Sequence, residues 1–284
     1  KEAGFPEGCF QNLAISSKAV ETVLRDERIK AVTLTGSTKA GSAVASTAGE
    51  MIKKSVLELG GSNALVIFED ADLEAAVETC IQARFQNTGQ SCIAGKRLLV
   101  QDAIYEKFLP LFIEQVGALK SGDPQDPDTF IGVQAREDLA KELEDQIERS
   151  VALGARLILG GERKSAYFQP TILTGVTRDM PVFQEETFGP AIGITTFSDE
   201  AEAVALVNAT KFGLGVSLFT RDRERVERLV PQIEDGAVFV NELVKSDPRL
   251  PFGGTKESGY GRELSIHGIR EFVNIKTVYL KGLG

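Results

Sequence analysis

The chain has 284 residues, 42% hydrophobic and 26% charged, which suits about two ordinary globular domains with buried cores. Its 41 acidic against 32 basic side chains leave a formal charge of −9, arguing against a nucleic-acid surface, since phosphate binding needs clustered Lys and Arg. No apolar run approaches the roughly 20 residues of a spanning helix, and KEAGFPEG lacks a signal-peptide core, so a soluble cytoplasmic chain with no membrane partner is expected. Three cysteines, Cys9, Cys80 and Cys92, with no CxxC spacing and one histidine, His267, support neither a metal site nor a disulfide framework. Any catalytic base should therefore be a carboxylate.

In chain order, Ser17 to Arg28 has helical periodicity, AVTLT (31–35) reads as a strand, and GSTKAG with SAVASTAGEMIKK as a turn and a helix. Gly36 and Gly41 free the backbone N–H groups of that helix start to approach a phosphate, while a plain helix cap by Ser37 or Thr38 explains the same letters. SVLELGG (55–61) predicts a strand ending in two glycines. NALVI follows, then a helix from about Leu73 to Asn87 that delivers the chain to GQSC. RLLVQ is a strand, EKFLPLFIEQVGAL an amphipathic helix, and SGDPQDPDTFIG a surface connection. A helix over 135–153 precedes strands RLILGG and AIGITTF, helix EAVALVNAT, strand VSLFT, helix RERVERLVPQI and strand AVFVN. Such βα alternation predicts an α/β fold with a parallel sheet. FVNIKTVYL (272–280) alternates as a terminal strand, and the domain boundary is expected near Leu59–Gly61.

Cys92 sits in FQNTGQSCIA (85–94), and a lone cysteine is by default a small core residue. A thiol of ordinary pKa is only a few per cent thiolate at neutral pH, so nucleophilic work needs a base or a positive setting. Glu58, at the end of VLEL, stands where open α/β sheets bind ligands; a solvated strand-end charge is the other reading. QEETFGP (184–190) puts Glu185 and Glu186 beside an aromatic and a Gly-Pro turn, and the glycine-rich LPFGGTKESGYGRE (250–263) suits a loop packed closely against something.

TLTGSTKAG, LELGGSNALVIFEDADLE, FQNTGQSC, EETFGP and PFGGTKESGYGRE together resemble the aldehyde dehydrogenase superfamily, in its order and at its spacings. The resemblance implies an aldehyde dehydrogenase-like α/β fold: residues 1–60 as the last part of a Rossmann-type cofactor domain, 61–259 as a catalytic domain, and 260–284 as a return segment with an oligomerisation strand. It implies NAD or NADP as cofactor and Cys92 as the nucleophile that attacks the aldehyde carbon. Glu58 matches the general base for thioester hydrolysis, and Glu263 a second acid of a proton relay. Gly36 and Ser37 match the pyrophosphate loop, Leu59 and Gly60 approach the nicotinamide, and Glu186 with Phe188 match residues holding its ribose and ring.

A finer resemblance, carried by FQNTGQSCIAGKR and SDPRLPFGGTKESGYGREL, is to short bacterial succinate-semialdehyde dehydrogenases. Ser246 matches a substrate-carboxylate serine, Gln86 stands where many relatives have Arg, and Arg249 is a candidate replacement for that charge. Lys1 falls where relatives are already well inside the cofactor domain, so the chain resembles a truncated enzyme, expected to bind cofactor poorly. The parent is expected to be a homodimer or homotetramer. The alternatives are a CoA-acylating aldehyde dehydrogenase or acyl-phosphate reductase, disfavoured by Glu58, and a non-catalytic binding protein on the same scaffold.

Overall fold

A computed structural model describes residues 2–282. Helix α1 (Ser17–Arg25) leads to β1 (Ala31–Thr35), α2 (Thr38–Glu50) and β2 (Lys54–Glu58). The Ser37 hydroxyl accepts the Ala40 N–H at 3.3 Å and so starts α2. The two strands pair in parallel with Thr35 opposite Glu58, which brings the C-terminal ends of both to one edge.

The chain then enters a larger sheet through β3 (Asn63–Ile67), α3 (Leu73–Phe85), β4 (Gly95–Gln101), α4 (Asp102–Gly117), α5 (Glu137–Ala152) and β5 (Arg156–Leu159). A small hairpin, β6 (Arg163–Lys164) and β7 (Tyr167–Phe168), precedes β8 (Thr171–Thr174), α6 (Pro181–Gln184), β9 (Ala191–Phe197) and α7 (Glu200–Asn208). After β10 (Phe212–Gly213) come β11 (Val216–Phe219), α8 (Arg223–Leu229), β12 (Val238–Val240), β13 (Thr255–Lys256), β14 (Gly259–Tyr260) and α9 (Ser265–Glu271). Asp72, Asp199 and Asp222 cap α3, α7 and α8 through their carboxylates.

Seven strands form the main sheet in the order β12-β11-β3-β4-β9-β8-β5, parallel except for the β5–β8 pair. Side-chain alternation along β3 divides two cores. Ala64 and Val66 join the layer containing Leu143, Ile147, Phe183, Leu206 and Leu229, while Leu65 and Ile67 join Val77, Cys80, Phe108 and Phe112. Every β3 residue is therefore buried, as expected of a strand covered by helices on both faces. Burying Leu65 or Ile67 contributes roughly 1.5–3 kcal/mol each. Cys80 is a core cysteine here, and its burial pushes the thiol pKa upward.

The parallel α/β expectation holds for the main sheet, and β5 differs because the hairpin β6–β7 reverses the chain before β8. Helix α3 ends two residues earlier than expected, since Asn87, Thr88 and Gly89 take φ of 52°, 55° and 71°. The terminal strand over 272–280 is not formed: after α9 the described residues carry no ladder, and Ile275, Val278, Tyr279 and Leu280 are exposed. A strand needs a partner for its N–H and C=O groups, and none reaches this segment among the described residues. β14 instead returns to β2, placing Gly259 opposite Glu58 in a three-stranded sheet of order β1-β2-β14. No helix among the described residues is long and apolar enough to cross a membrane.

Candidate active site

Where β1 and β2 end, their last residues form one wall of a cleft of about 800 Å³. Thr35, Gly36 and Ser37 line it beside Glu58, Leu59 and Gly60, and Gln90, Ser91 and Cys92 come from the turn after α3. Glu185, Glu186 and Phe188 face them from the loop between α6 and β9, with Gln146 on α5 and Lys211 nearby. This is the strand-end position at which open parallel sheets bind ligands.

The thiol turn is held by several independent clamps. Asn87 and Gln90 exchange side-chain-to-carbonyl bonds of 2.9 and 3.2 Å, Gln90 Oε1 accepts the Ala135 N–H at 2.8 Å, and Thr88 Oγ1 accepts the Gly132 N–H at 3.1 Å. Two non-glycine residues in the left-handed region cost free energy, and these bonds over-determine the conformation that stores it. Asn63 Nδ2 donates to the Ile93 carbonyl at 3.1 Å and its Oδ1 accepts the Gly215 N–H at 3.2 Å. A Cβ on Gly61 would lie 2.8 Å from the Cys92 carbonyl oxygen, so the turn after β2 and the thiol turn touch through a missing side chain.

Two buried cations bind the same turn. The fully buried Arg84 donates Nη1 to the Gly95 carbonyl at 3.3 Å and Nη2 to the carbonyls of Gly89, Thr187 and Gly189, joining the thiol turn to the Phe188 loop. Lys96, equally buried, donates Nζ to the Ser91 and Cys92 carbonyls at 2.8 Å each and pairs with Glu186 Oε1 at 3.2 Å. Glu186 Oε1 also accepts the Gly61 N–H at 3.1 Å, and a Cβ on Gly60 would fall 2.3 Å from its other oxygen. Desolvation dominates both cations, lowering Lys96 to about 8 and Arg84 to about 9.

Burial also pushes the Cys92 thiol above its ordinary value, with Glu186 and Glu58 adding to the rise. Lys96 and an Ile93 backbone hydrogen bond oppose it. Glu58 is 4% exposed, and neither carboxylate oxygen has a hydrogen-bond partner among the described residues. That burial, with the charge of Glu263 adding and Arg262 opposing, raises its pKa to about 7. A half-buried, mainly protonated thiol thus shares a cleft with a carboxylate poised to accept protons near neutrality, as nucleophilic catalysis requires.

Of the residues singled out from sequence, Cys92, Glu58, Gly36, Ser37, Leu59, Gly60, Glu186 and Phe188 line this cleft together. Glu263 stands behind Glu58, its backbone paired with Phe252. Gln86, Ser246 and Arg249 do not line the cleft; Arg249 is exposed and its Nε donates to Asp247 at 2.9 Å. Ser37 spends its hydroxyl on the α2 cap, and Gly41 makes room for Leu59, whose Cδ1 lies 2.5 Å from where a Cβ would be. Sequence reasoning missed Arg84, Lys96 and Lys211. The available signal for Lys96 was the pair of cations opening the apolar strand GKRLLVQ.

This thiol turn and buried carboxylate lie at the strand ends of an α/β sheet, and the aldehyde dehydrogenase family pattern covers residues 1–278. The chain belongs to the aldehyde dehydrogenase family. It is 49% identical over 280 residues to "Succinate-semialdehyde dehydrogenase [NADP(+)] 1" of Mycobacterium tuberculosis (strain ATCC 25618 / H37Rv), covering 98% of this chain and 61% of that protein. It resembles the structure of succinic semialdehyde dehydrogenase from Streptococcus pyogenes in complex with NADP+ with a TM-score of 0.94 and 39% identity, over 98% of this chain and 62% of that one. For succinate-semialdehyde dehydrogenase from Burkholderia pseudomallei the TM-score is 0.93 at 38% identity, over 97% and 58% of the two chains. The chain thus spans about three fifths of these relatives' lengths.

Proposed function

We propose that this cleft is the thiol site of an NAD(P)-dependent aldehyde dehydrogenase acting through a Cys92 thioester. The observation that carries the reading is the shared cleft of Cys92 and the buried Glu58. Cys92 Sγ adds to the aldehyde carbon as its proton leaves, giving a thiohemiacetal whose oxyanion the backbone N–H of Cys92 helps to hold. NAD(P), when bound, supplies the hydride acceptor that turns this adduct into a thioester. Glu58 then takes a proton from water, which attacks the thioester carbon, releases the carboxylic acid and returns the thiol.

The residues on the nicotinamide side fit a cofactor. Gly60 leaves the Glu186 carboxylate room that a Cβ would fill, and Glu186 and Phe188 face Leu59 and Gly60 across the cleft. On this reading residues 1–60 contribute to the cofactor domain, 61–259 form the catalytic domain, and 260–284 return and extend toward a neighbouring subunit. Thr35, Gly36 and Ser37 are exposed and β1 is a sheet edge, so the isolated chain is expected to bind cofactor weakly. Steady NAD(P)H production by this chain from an aldehyde would refute the weak-binding part. Succinate semialdehyde is the leading substrate, because the 49% identical Mycobacterium tuberculosis relative is a succinate-semialdehyde dehydrogenase.

An activated ester such as p-nitrophenyl acetate tests the thiol chemistry without any oxidant, because it delivers the thioester directly. The wild-type chain should release p-nitrophenol with acetyl on Cys92, Glu58→Gln should accumulate acetyl-Cys92, and Cys92→Ser should form no thioester. Acetylation that leaves Cys92 untouched would overturn the assignment.

A further inference from the structure

Charged side chains that are fully buried need a reason, because desolvating an ammonium costs several kcal/mol unless partners compensate. Lys96 is one, at the second position of a strand whose every residue but the last is buried. Its three partners are the Ser91 and Cys92 carbonyls at 2.8 Å and Glu186 Oε1 at 3.2 Å. Two of them belong to the thiol turn. The third also accepts the Gly61 N–H, on the turn whose missing Cβ touches the Cys92 carbonyl. Lys96 thus closes a ring through the nucleophile, the Glu186 loop and the turn after β2.

We propose that Lys96 is a positioning residue for Cys92: its ammonium fixes the carbonyls of the nucleophile turn and supplies the positive charge that favours the thiolate. The proposal deepens the thiol-site reading and rests on Cys92 being the nucleophile. Among the described residues the charged groups acting most on Cys92 are Lys96, Glu186 and Glu58, and of these three Lys96 favours the thiolate. Those acting on Lys96 are Glu186, Arg84 and the thiol itself. Lys96, which burial brings to about 8, and the Cys92 thiol each act on the other's proton affinity, so the two titrations are coupled.

The test is the pH dependence of Cys92 alkylation by iodoacetamide in the 284-residue chain, read peptide by peptide with the exposed Cys9 as internal reference. In Lys96→Met the Cys92 midpoint should rise by about one pH unit, slowing alkylation near neutrality about tenfold, as expected when an opposite charge a few ångströms away is removed. Lys96→Arg should restore the midpoint. A looser turn alone would change the rate at all pH values without moving the midpoint, and an unmoved midpoint in Lys96→Met overturns the proposal. Wild type provides an arm independent of any variant's folding: its rate–pH curve should be broader than a one-proton titration, and a plain one-proton curve also overturns it. Failure of the underlying reading looks different, since p-nitrophenyl acetate would then leave Cys92 unacetylated whatever the alkylation midpoints.

Discussion

At Glu58 the local cost and the proposed chemical use share one cause, its burial. A carboxylate with a raised pKa binds its proton more tightly in the folded chain than in the unfolded one. Its stabilising contribution is therefore complete below the ordinary carboxylate pKa and is lost as pH rises through about 7. Glu58→Gln should accordingly be more stable than wild type at about pH 8, on the order of 1–3 kcal/mol, and nearly equal to it at about pH 4. Urea denaturation at the two pH values measures this, and equal stability differences at both would contradict the raised pKa. The same ionisation should set deacylation: hydrolysis of acetyl-Cys92 should rise with pH around a midpoint near 7 in wild type and lose that step in Glu58→Gln. For Cys92, reversible addition to an aldehyde needs no oxidant, so succinate semialdehyde should protect it from iodoacetamide better than butyraldehyde does. Equal protection would remove the preference for a carboxylate-bearing substrate.

Between elements, three turns meet with little room, and the glycines there have distinct consequences. A Cβ at Gly60 would meet the end of the Glu186 side chain, which can move only by loosening its bonds to Lys96 and Gly61, whereas one at Gly89 would lie 2.4 Å from the Gly189 carbonyl oxygen, in a left-handed backbone. Gly60→Ala should thus lower the melting temperature modestly by loosening the Glu186–Lys96 pair, while Gly89→Ala should destabilise more, by roughly 1–3 kcal/mol. Comparable losses in both would show that Glu186 is more rigidly held than its bonds to Lys96 and Gly61 imply. Arg84 ties the same turns together from below. Arg84→Met should cost roughly 2–5 kcal/mol, because the carbonyls of Gly89, Gly95, Thr187 and Gly189 lose a common donor inside the core.

Across the whole molecule, two apolar regions lie exposed. Phe5, Phe10, Leu13 and Ile15 precede α1, and Ile269, Phe272, Val273, Ile275, Val278 and Leu280 follow the turn of β14 onto the surface. Exposed apolar segments and the open β1 edge favour association. Light scattering should show mass rising with concentration, and deleting residues 274–284 should weaken it. An unchanged mass after deletion would count against a role for the terminal segment in a homodimer or homotetramer.

The sequence alone determined the βα order, the Ser37 cap of α2 and the glycine-marked turns, because these depend on neighbours a few positions away. Through ordered motifs it also pointed to Cys92, Glu58 and the cofactor-side residues that share one cleft. It did not reveal Lys96 or Arg84, since a cation within a strand or helix reads as surface until the surrounding layers are known to exclude water from it. The raised Glu58 pKa has the same origin: its burial is made by the Gly253 loop and β14, nearly 200 positions away. The terminal segment shows the converse, an alternating pattern that stays without a ladder because the bonds that would make it a strand are not available within the described chain. Tertiary structure decided which charges are desolvated and which edges are paired, and those two facts set the chemistry of the cleft.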